Sequence, residues 1–292
     1  MGFGSYTATD WKKLKTSRNL EVKKNVEEVF VRTSCNPKFD PRFIGVRECF
    51  DSADHPRTTP IVLGLDVTGS MGYLAVKVAK ESLNELVMKL YSTSTVEDPA
   101  VMCAAYGDYH DSAALQVTQF ESDIRIVEQL LELYFENKGS GEVVPTCLWS
   151  FLSDHTNIDA INKRGQKGFV FTIGDAARIR SNDVPDTIRR VLGDSRPGAT
   201  RDSILREVQK KFNVFHIMIG RAGNADLLPG HRMNIAMNEI DSIPEIVIST
   251  IQMQKGISIE EAVSQWDAIK QPVIRAAVSQ LCLADTGRPL TL

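Results

Sequence analysis

The chain has 292 residues, 42% of them hydrophobic and 24% charged, with a formal net charge of -3. This is enough apolar material for one large α/β domain with additions, or for two small domains. The slightly acidic balance excludes nucleic-acid binding by bulk positive charge. No apolar run reaches membrane-spanning length, and Met1 to Leu14 lacks the apolar core of a secretory signal, so a cytoplasmic protein without a membrane contact is expected. Five scattered cysteines (Cys35, Cys49, Cys103, Cys147, Cys282) show no CxxC spacing and fit neither a disulfide framework nor a zinc cage. Cys103, inside an apolar run, reads as a buried inert thiol.

Residues 1–57 are polar and turn-rich and form an N-terminal extension. Lys12, Lys13, Lys15, Arg18, Lys23 and Lys24 cluster there, but Asp10, Glu21, Glu27 and Glu28 interrupt them, as on a solvated helical face. The regular pattern begins at Pro60. Pro60–Leu65 is a short β-rich run, read as a fully buried strand. Gly69 ends it and Ser70 is placed to cap a helix over Met71–Tyr91, where Leu74, Val78, Leu83, Leu86, Val87 and Leu90 recur at helical spacing. Strands are expected at Ala100–Tyr106 and Ala114–Gln119. A helix capped by Asp123 should run to Phe135, with Ile126, Leu130, Leu131 and Tyr134 inward. Gly139–Gly141 reads as a flexible loop, followed by a helix over Thr146–Ser153.

Gly168–Ile173 is the clearest buried strand and stops at Gly174-Asp175. Helices follow at Val184–Leu192 and Asp202–Phe212, then a strand at Val214–Ile219, in which His216 reads as a satisfied core residue. Met233–Met237 suggests an edge strand. Helices at Ile243–Gln254, Ser258–Gln265 and Val273–Leu281 close the chain. Strands alternating with helices predict a doubly wound α/β domain over residues 58–254, mainly parallel with helices on both faces, and a C-terminal helical tail over 255–292.

In such sheets ligands bind at the carboxyl ends of the strands. Three polar segments fall there: Asp66, Thr68 and Ser70 after the first strand, Asp108 after the second, and Asp175 after the Phe169–Ile173 run. Asp66, Thr68 and Ser70 alternate in one tight turn, so their oxygens can converge, and Asp175 adds a second carboxylate. Carboxylates with hydroxyls make a hard, all-oxygen set suited to Mg²⁺ or Mn²⁺ and poor for zinc. Asp108 is either a supporting rim acid or a plain turn residue.

Asp66-Val67-Thr68-Gly69-Ser70-Met71 resembles the DxSxS signature of the metal-ion-dependent adhesion site (MIDAS) of von Willebrand factor A (VWA) domains, in a DxTxS form. With Asp51–Pro56, Gly64–Gly72, Leu115–Glu121 and Phe171–Asp175, the chain is similar to stand-alone VWA proteins of bacteria and phages over most of residues 45–220. The resemblance implies a Rossmann-like VWA sheet, Thr68 and Ser70 as direct metal ligands, and Asp66 and Asp175 acting directly or through water. It also implies a threonine from a second loop, which maps to Thr146. This loop departs from the family's Gly-Gly-x-Thr spacing, so Ser140 and Glu142 stand beside Thr146 as alternatives. Val143-Val144-Pro145 and Ala176 are further departures.

The function implied is non-catalytic: cation-dependent capture of a protein that presents an Asp or Glu, with a MoxR-type AAA+ ATPase as the partner suggested by family habit. The alternatives are a metal-dependent phosphohydrolase and a structural or virion component that self-associates around an incidental metal. The phosphotransferase pattern with a second Asp two residues after the first is not met, because Thr68 stands there. Neither GxxxxGK nor GxGxxG follows a strand.

Overall fold

The computed structural model describes residues 4–23, 25–136, 142–175, 178–179, 183–220, 228 and 230–282, with 142–143 and 178–179 described in backbone alone. The loop Gly139–Gly141 lies outside the described residues. Helix α1 (Ala8–Ser17) starts where the Thr7 hydroxyl accepts the Asp10 amide, and α2 (Val26–Val29) starts on a reciprocal Asn25–Glu28 capping box. β1 (Arg47–Cys49) precedes β2 (Thr59–Asp66), the central strand. After a 3₁₀ turn at Gly69–Met71, α3 (Gly72–Lys77) and α4 (Leu83–Ser92) run on through a π turn at Val78–Ser82. β3 (Pro99–Tyr106), β4 (Leu115–Val117), α5 (Arg125–Leu130), β5 (Glu142–Val143) and α6 (Pro145–Asp154) follow. Next come β6 (Thr156–Ile158), α7 (Asp159–Arg164), β7 (Gly168–Gly174), β8 (Arg178–Ile179), α8 (Val184–Leu192) and α9 (Arg201–Lys211). β9 (Phe212–Ile219), β10 (Arg232–Ile235), α10 (Ile243–Gln254), α11 (Ile259–Ser264) and α12 (Gln271–Val278) complete the order.

Six strands form the main sheet in the order β10-β9-β7-β2-β3-β4, all parallel except β4, which is antiparallel to β3. This is the doubly wound α/β architecture that the alternating pattern predicts. The strand pleat divides the core in two. Ile61, Leu63, Leu65, Phe169, Phe171 and Phe215 face one side, packed against α3, α4 and α10. Val62, Met102, Tyr106, Val170 and Val214 face the other, packed against α6, α8 and α9. Burial on both faces is why these strands read as near-continuous apolar runs.

Two small parallel pairs, β1-β6 and β5-β8, are additions that the sequence did not suggest. The α5 helix ends at Leu130, short of Phe135. Beyond it Leu131, Leu133 and Phe135 are buried at alternate positions while Glu132 and Tyr134 are only partly buried, so the chain has switched to period two. Tyr134 is held through its backbone, which exchanges two hydrogen bonds with the Gln116 side chain.

Both flanking segments pack into the first core. Leu14, Leu20, Val29, Phe30 and Phe39 are buried there, and the Phe30 and Phe135 ring centroids are 4.0 Å apart. At the other end Ile274 and Val278 are fully buried, and the Trp266 indole donates to Ser249 Oγ at 2.8 Å. Trp266→Phe, which keeps most of the packing and loses this bond, should lower the unfolding free energy by about 1 kcal/mol in a urea titration. Cys49, Cys103 and Cys147 are buried and free; burial pushes the Cys103 thiol up to about 12, which keeps it protonated and inert. His216 is buried, with Nδ1 bonded to Thr172 Oγ1 at 2.8 Å, and burial lowers it to about 3, so it is neutral. Its Nε2 has no hydrogen-bond partner among the described residues, so it is half satisfied there. No helix is long and apolar enough to cross a membrane among the described residues.

Candidate metal centre

β2 is the switch point of the sheet. The chain leaves it for β3 on one side and later places β7 on the other, so a crevice opens at the carboxyl ends of β2 and β7. Those ends carry Asp66 and Asp175. The register pairs Leu65 with Ile173, which sets Asp66 level with Gly174. The approach is close: a Cβ built on Gly174 would lie 2.6 Å from Asp66 Cβ and 2.8 Å from its Oδ2.

The turn that follows β2 binds its own carboxylate. Asp66 Oδ1 accepts the Thr68 amide at 2.9 Å and the Thr68 hydroxyl at 2.6 Å. Ser70, expected to cap the helix, makes no side-chain cap; the 3₁₀ turn begins one residue earlier, and the exposed Ser70 hydroxyl donates to Asp175 Oδ1 at 3.0 Å. Both hydroxyls therefore spend their protons on the two carboxylates and keep lone pairs for another group.

Of the residues expected at this site, Asp66 Oδ2 and Thr146 Oγ1 are buried with no hydrogen-bond partner among the described residues. Thr146 lies in the first turn of α6. The Val144 amide donates to the Gly107 carbonyl at 3.2 Å, and Leu148 Cδ2 comes within 2.8 Å of where a Gly64 Cβ would be. These contacts set the start of α6 against the carboxyl half of β2. Ser140 lies outside the described residues, and Glu142 is described in backbone alone.

Asp108 is fully buried on the loop after β3. Its Oδ1 accepts the His110 amide at 2.9 Å, while its own amide donates to Asp111 Oδ2 at 2.8 Å. The sequence reading passed over Asp111. Its carboxylate fits only because residue 107 is glycine, since a Cβ there would lie 2.4 Å from Asp111 Oδ2. The repeated Asp at 108 and 111 just past a strand end was the available signal. Tyr106 was missed as well. It is buried against Gly64, and its hydroxyl crosses β2 to donate to the Ile173 carbonyl at 3.0 Å. It thereby ties β3 to the end of β7 that carries Asp175. Tyr106→Phe should cost about 1 kcal/mol, because it removes a buried hydrogen bond between β3 and β7, measurable as a lower urea midpoint at unchanged slope.

Burial raises the Asp66 carboxyl to about 7; the Thr68 hydrogen bonds pull it down, and the charges of Asp175 and Asp111 push it up further. Burial also raises the Tyr106 phenol well above its ordinary value, reinforced by Asp66 and Asp175. Ionising a carboxyl so buried and near other acids is costly, and a positive charge beside it would offset that cost. Among the described residues no three His, Cys, Asp or Glu side chains gather about one point. The set is instead two carboxylates with hydroxyls, all hard oxygen donors. Asp66 Oδ2 and Thr146 Oγ1, buried and unpartnered among the described residues, are hard oxygen donors, and with the two hydroxyls they have the donor chemistry that Mg²⁺ or Mn²⁺ takes.

No protein-family model and no curated protein matches the chain. Similar solved structures include the pilus adhesin SpaC of Lactobacillus rhamnosus GG. Its open conformation gives a TM-score of 0.46 at 10% identity over 67% of this chain and 30% of the adhesin. A second form of that adhesin gives 0.45 at 11% identity, covering 67% and 31%. The conserved hypothetical protein BatB of Bacteroides thetaiotaomicron gives 0.34 at 11% identity, covering 56% and 67%. The chain thus spans under a third of the adhesin's length. The fold assignment stands on the sheet order and the two facing strand ends.

Proposed function

We propose that the protein is a divalent-cation-dependent protein-binding module of the VWA type. Its MIDAS-type site is formed by Thr68 and Ser70 as direct ligands, Asp66 and Asp175 directly or through water, and Thr146. The observation that carries this reading is the buried Asp66 Oδ2, unpartnered among the described residues, in a turn whose Thr68 and Ser70 hydroxyls already give their protons to Asp66 and Asp175; Thr146 Oγ1, likewise buried and unpartnered, supports it from the first turn of α6. When bound, a Mg²⁺ or Mn²⁺ ion supplies an electrophilic position that accepts a carboxylate from a partner. The chain's own residues do the rest. Asp66 and Asp175 neutralise the charge, the hydroxyls orient the ligand shell, and the exposed Ser70 side marks where a partner Asp or Glu would enter.

Asp175 is the cleaner residue to remove, because it is only partly buried and sits at a strand end. In calorimetry wild type should bind Mg²⁺ and Mn²⁺, and Asp175→Ala should bind either at least about tenfold more weakly. Partner capture should be lost in EDTA and in this variant together. Equal cation affinity in both proteins sinks the proposal. A MoxR-type AAA+ ATPase is the first partner to try in that assay.

A further inference from the structure

Away from the Asp66–Ser70 turn, the segment Pro37–Arg47 folds beside the sheet edge at β4 and lines an open cavity of about 560 Å³. That volume lies within the range of small-molecule sites. Phe39, Phe43, Ile44 and Val46 supply an apolar wall, and Phe43 and Val46 are unusually exposed for their type, at 72% and 44%. Lys38, Arg47, Gln119, Gln129 and Glu132 supply its polar lining.

Arg47 is a half-buried cation without a counter-ion. Its Nη2 donates to two main-chain carbonyls, those of Lys38 and Val117, and no carboxylate pairs with it among the described residues. Neighbouring acids are committed elsewhere: Asp40 to Arg42, and Glu132, which also lines the cavity, to Arg32 and Asn36. The anchoring carbonyls hold the guanidinium in one place. They also neutralise none of its charge, and burial pulls Arg47 down to about 10. Gln119, on the same lining, accepts the Phe120 amide through Oε1, which leaves its amide nitrogen as the group able to donate to a ligand.

A guanidinium without a carboxylate partner among the described residues and an exposed aromatic-aliphatic wall on the same cavity ask for one kind of ligand. We propose that this cavity binds a small amphipathic carboxylate, its anionic head at Arg47 and Gln119 and its apolar body against Phe43, Ile44 and Val46. A charge-assisted Arg–carboxylate contact gives selectivity, and burial of the chain or ring gives most of the affinity. This site does not depend on the metal centre.

The test uses the full chain in EDTA, so that cation-bridged carboxylate binding is silent, with octanoate and phenylbutyrate as probes, and their primary amides and inorganic phosphate as controls. Titration followed by NMR or calorimetry should show saturable binding of the acids at millimolar concentration or below. The amides should bind at least about tenfold more weakly, the equivalent of one charge-assisted hydrogen bond. Arg47→Gln should remove the preference for acid over amide. Arg47 also holds two carbonyls, so Phe43→Ala serves as the second variant; its ring is mostly in solvent, its fold should be unchanged, and its affinity for both acids should fall several-fold. Acids and amides binding alike, phosphate binding as well as octanoate, no saturation by either acid, or an unchanged affinity in Phe43→Ala would each overturn the proposal.

Discussion

Asp66→Asn is expected to abolish Mg²⁺ binding while making the metal-free protein more stable at neutral and alkaline pH. The two halves of this result have one cause. Asp66 is 1% exposed, and its carboxyl is raised to about 7 chiefly by burial. A carboxyl raised on folding binds more protons in the folded state than in the unfolded one, so stability falls as pH rises. The loss begins near the unfolded value of about 4 and is complete once pH passes the folded value of about 7. Each unit of such a shift is worth about 1.4 kcal/mol.

Asparagine carries no charge to desolvate and still offers an oxygen to the Thr68 amide and hydroxyl. In EDTA the melting temperature of the variant should therefore exceed that of wild type at about pH 8, and the two should converge towards about pH 4. Adding Mg²⁺ should reverse the order. Wild type should gain about 2.7 kcal/mol at a hundredfold excess over its dissociation constant, and the variant nothing, because a carboxylate of the proposed ligand set is gone. A metal response retained in Asp66→Asn would be incompatible with the proposed ligand set. Identical pH profiles of the two metal-free proteins would show that Asp66 ionises without penalty.

The parts of this molecule that could be read from the sequence are those whose signal is local. Phe169–Ile173 reads as a strand because a parallel strand covered on both faces must be apolar throughout. Ile243–Gln254 and Val184–Leu192 begin and end where turn residues, an N1/N2 proline or Gly193 place them. The Asp66–Ser70 turn was legible because its donors are neighbours in sequence. What was hidden depends on partners distant in the chain. Ser70 looks like a helix cap until β7 brings Asp175 within 3.0 Å of it. Tyr106 looks like the last apolar residue of a strand, and only the β2-β3 and β2-β7 registers show it reaching across Gly64 to Ile173. The three-residue strands β1 and β6 carry too few residues to show a period at all. Leu14, Leu20, Val29, Phe30 and Phe39 join the core from a segment whose polarity suggested a solvated face, because their spacing follows the surface they cover.

The glycine at 174 gives the sharpest test of how tightly the two strand ends are held. In a generic strand Gly→Ala relieves backbone freedom and is mildly stabilising where the geometry allows. Here the new methyl carbon would sit 2.6 Å from Asp66 Cβ and 2.8 Å from Asp66 Oδ2, well inside contact distance. Neither side can yield cheaply. β7 is paired on both flanks, with β2 and β9, and Asp66 is fixed by the two hydrogen bonds from Thr68. Overpacking of this kind costs about 1–3 kcal/mol. The larger effect should fall on the site, because the atom displaced is the unpartnered carboxylate oxygen and Asp175 is the next residue along the moving strand. Gly174→Ala should therefore fold, with its urea midpoint lowered, and bind the cation about tenfold to a hundredfold more weakly, the range that disturbing a ligand's support gives. Full Mg²⁺ affinity in a folded Gly174→Ala protein would mean that the cation, if bound, does not use Asp66 Oδ2, and the ligand set would have to be redrawn around Ser70 and Asp175.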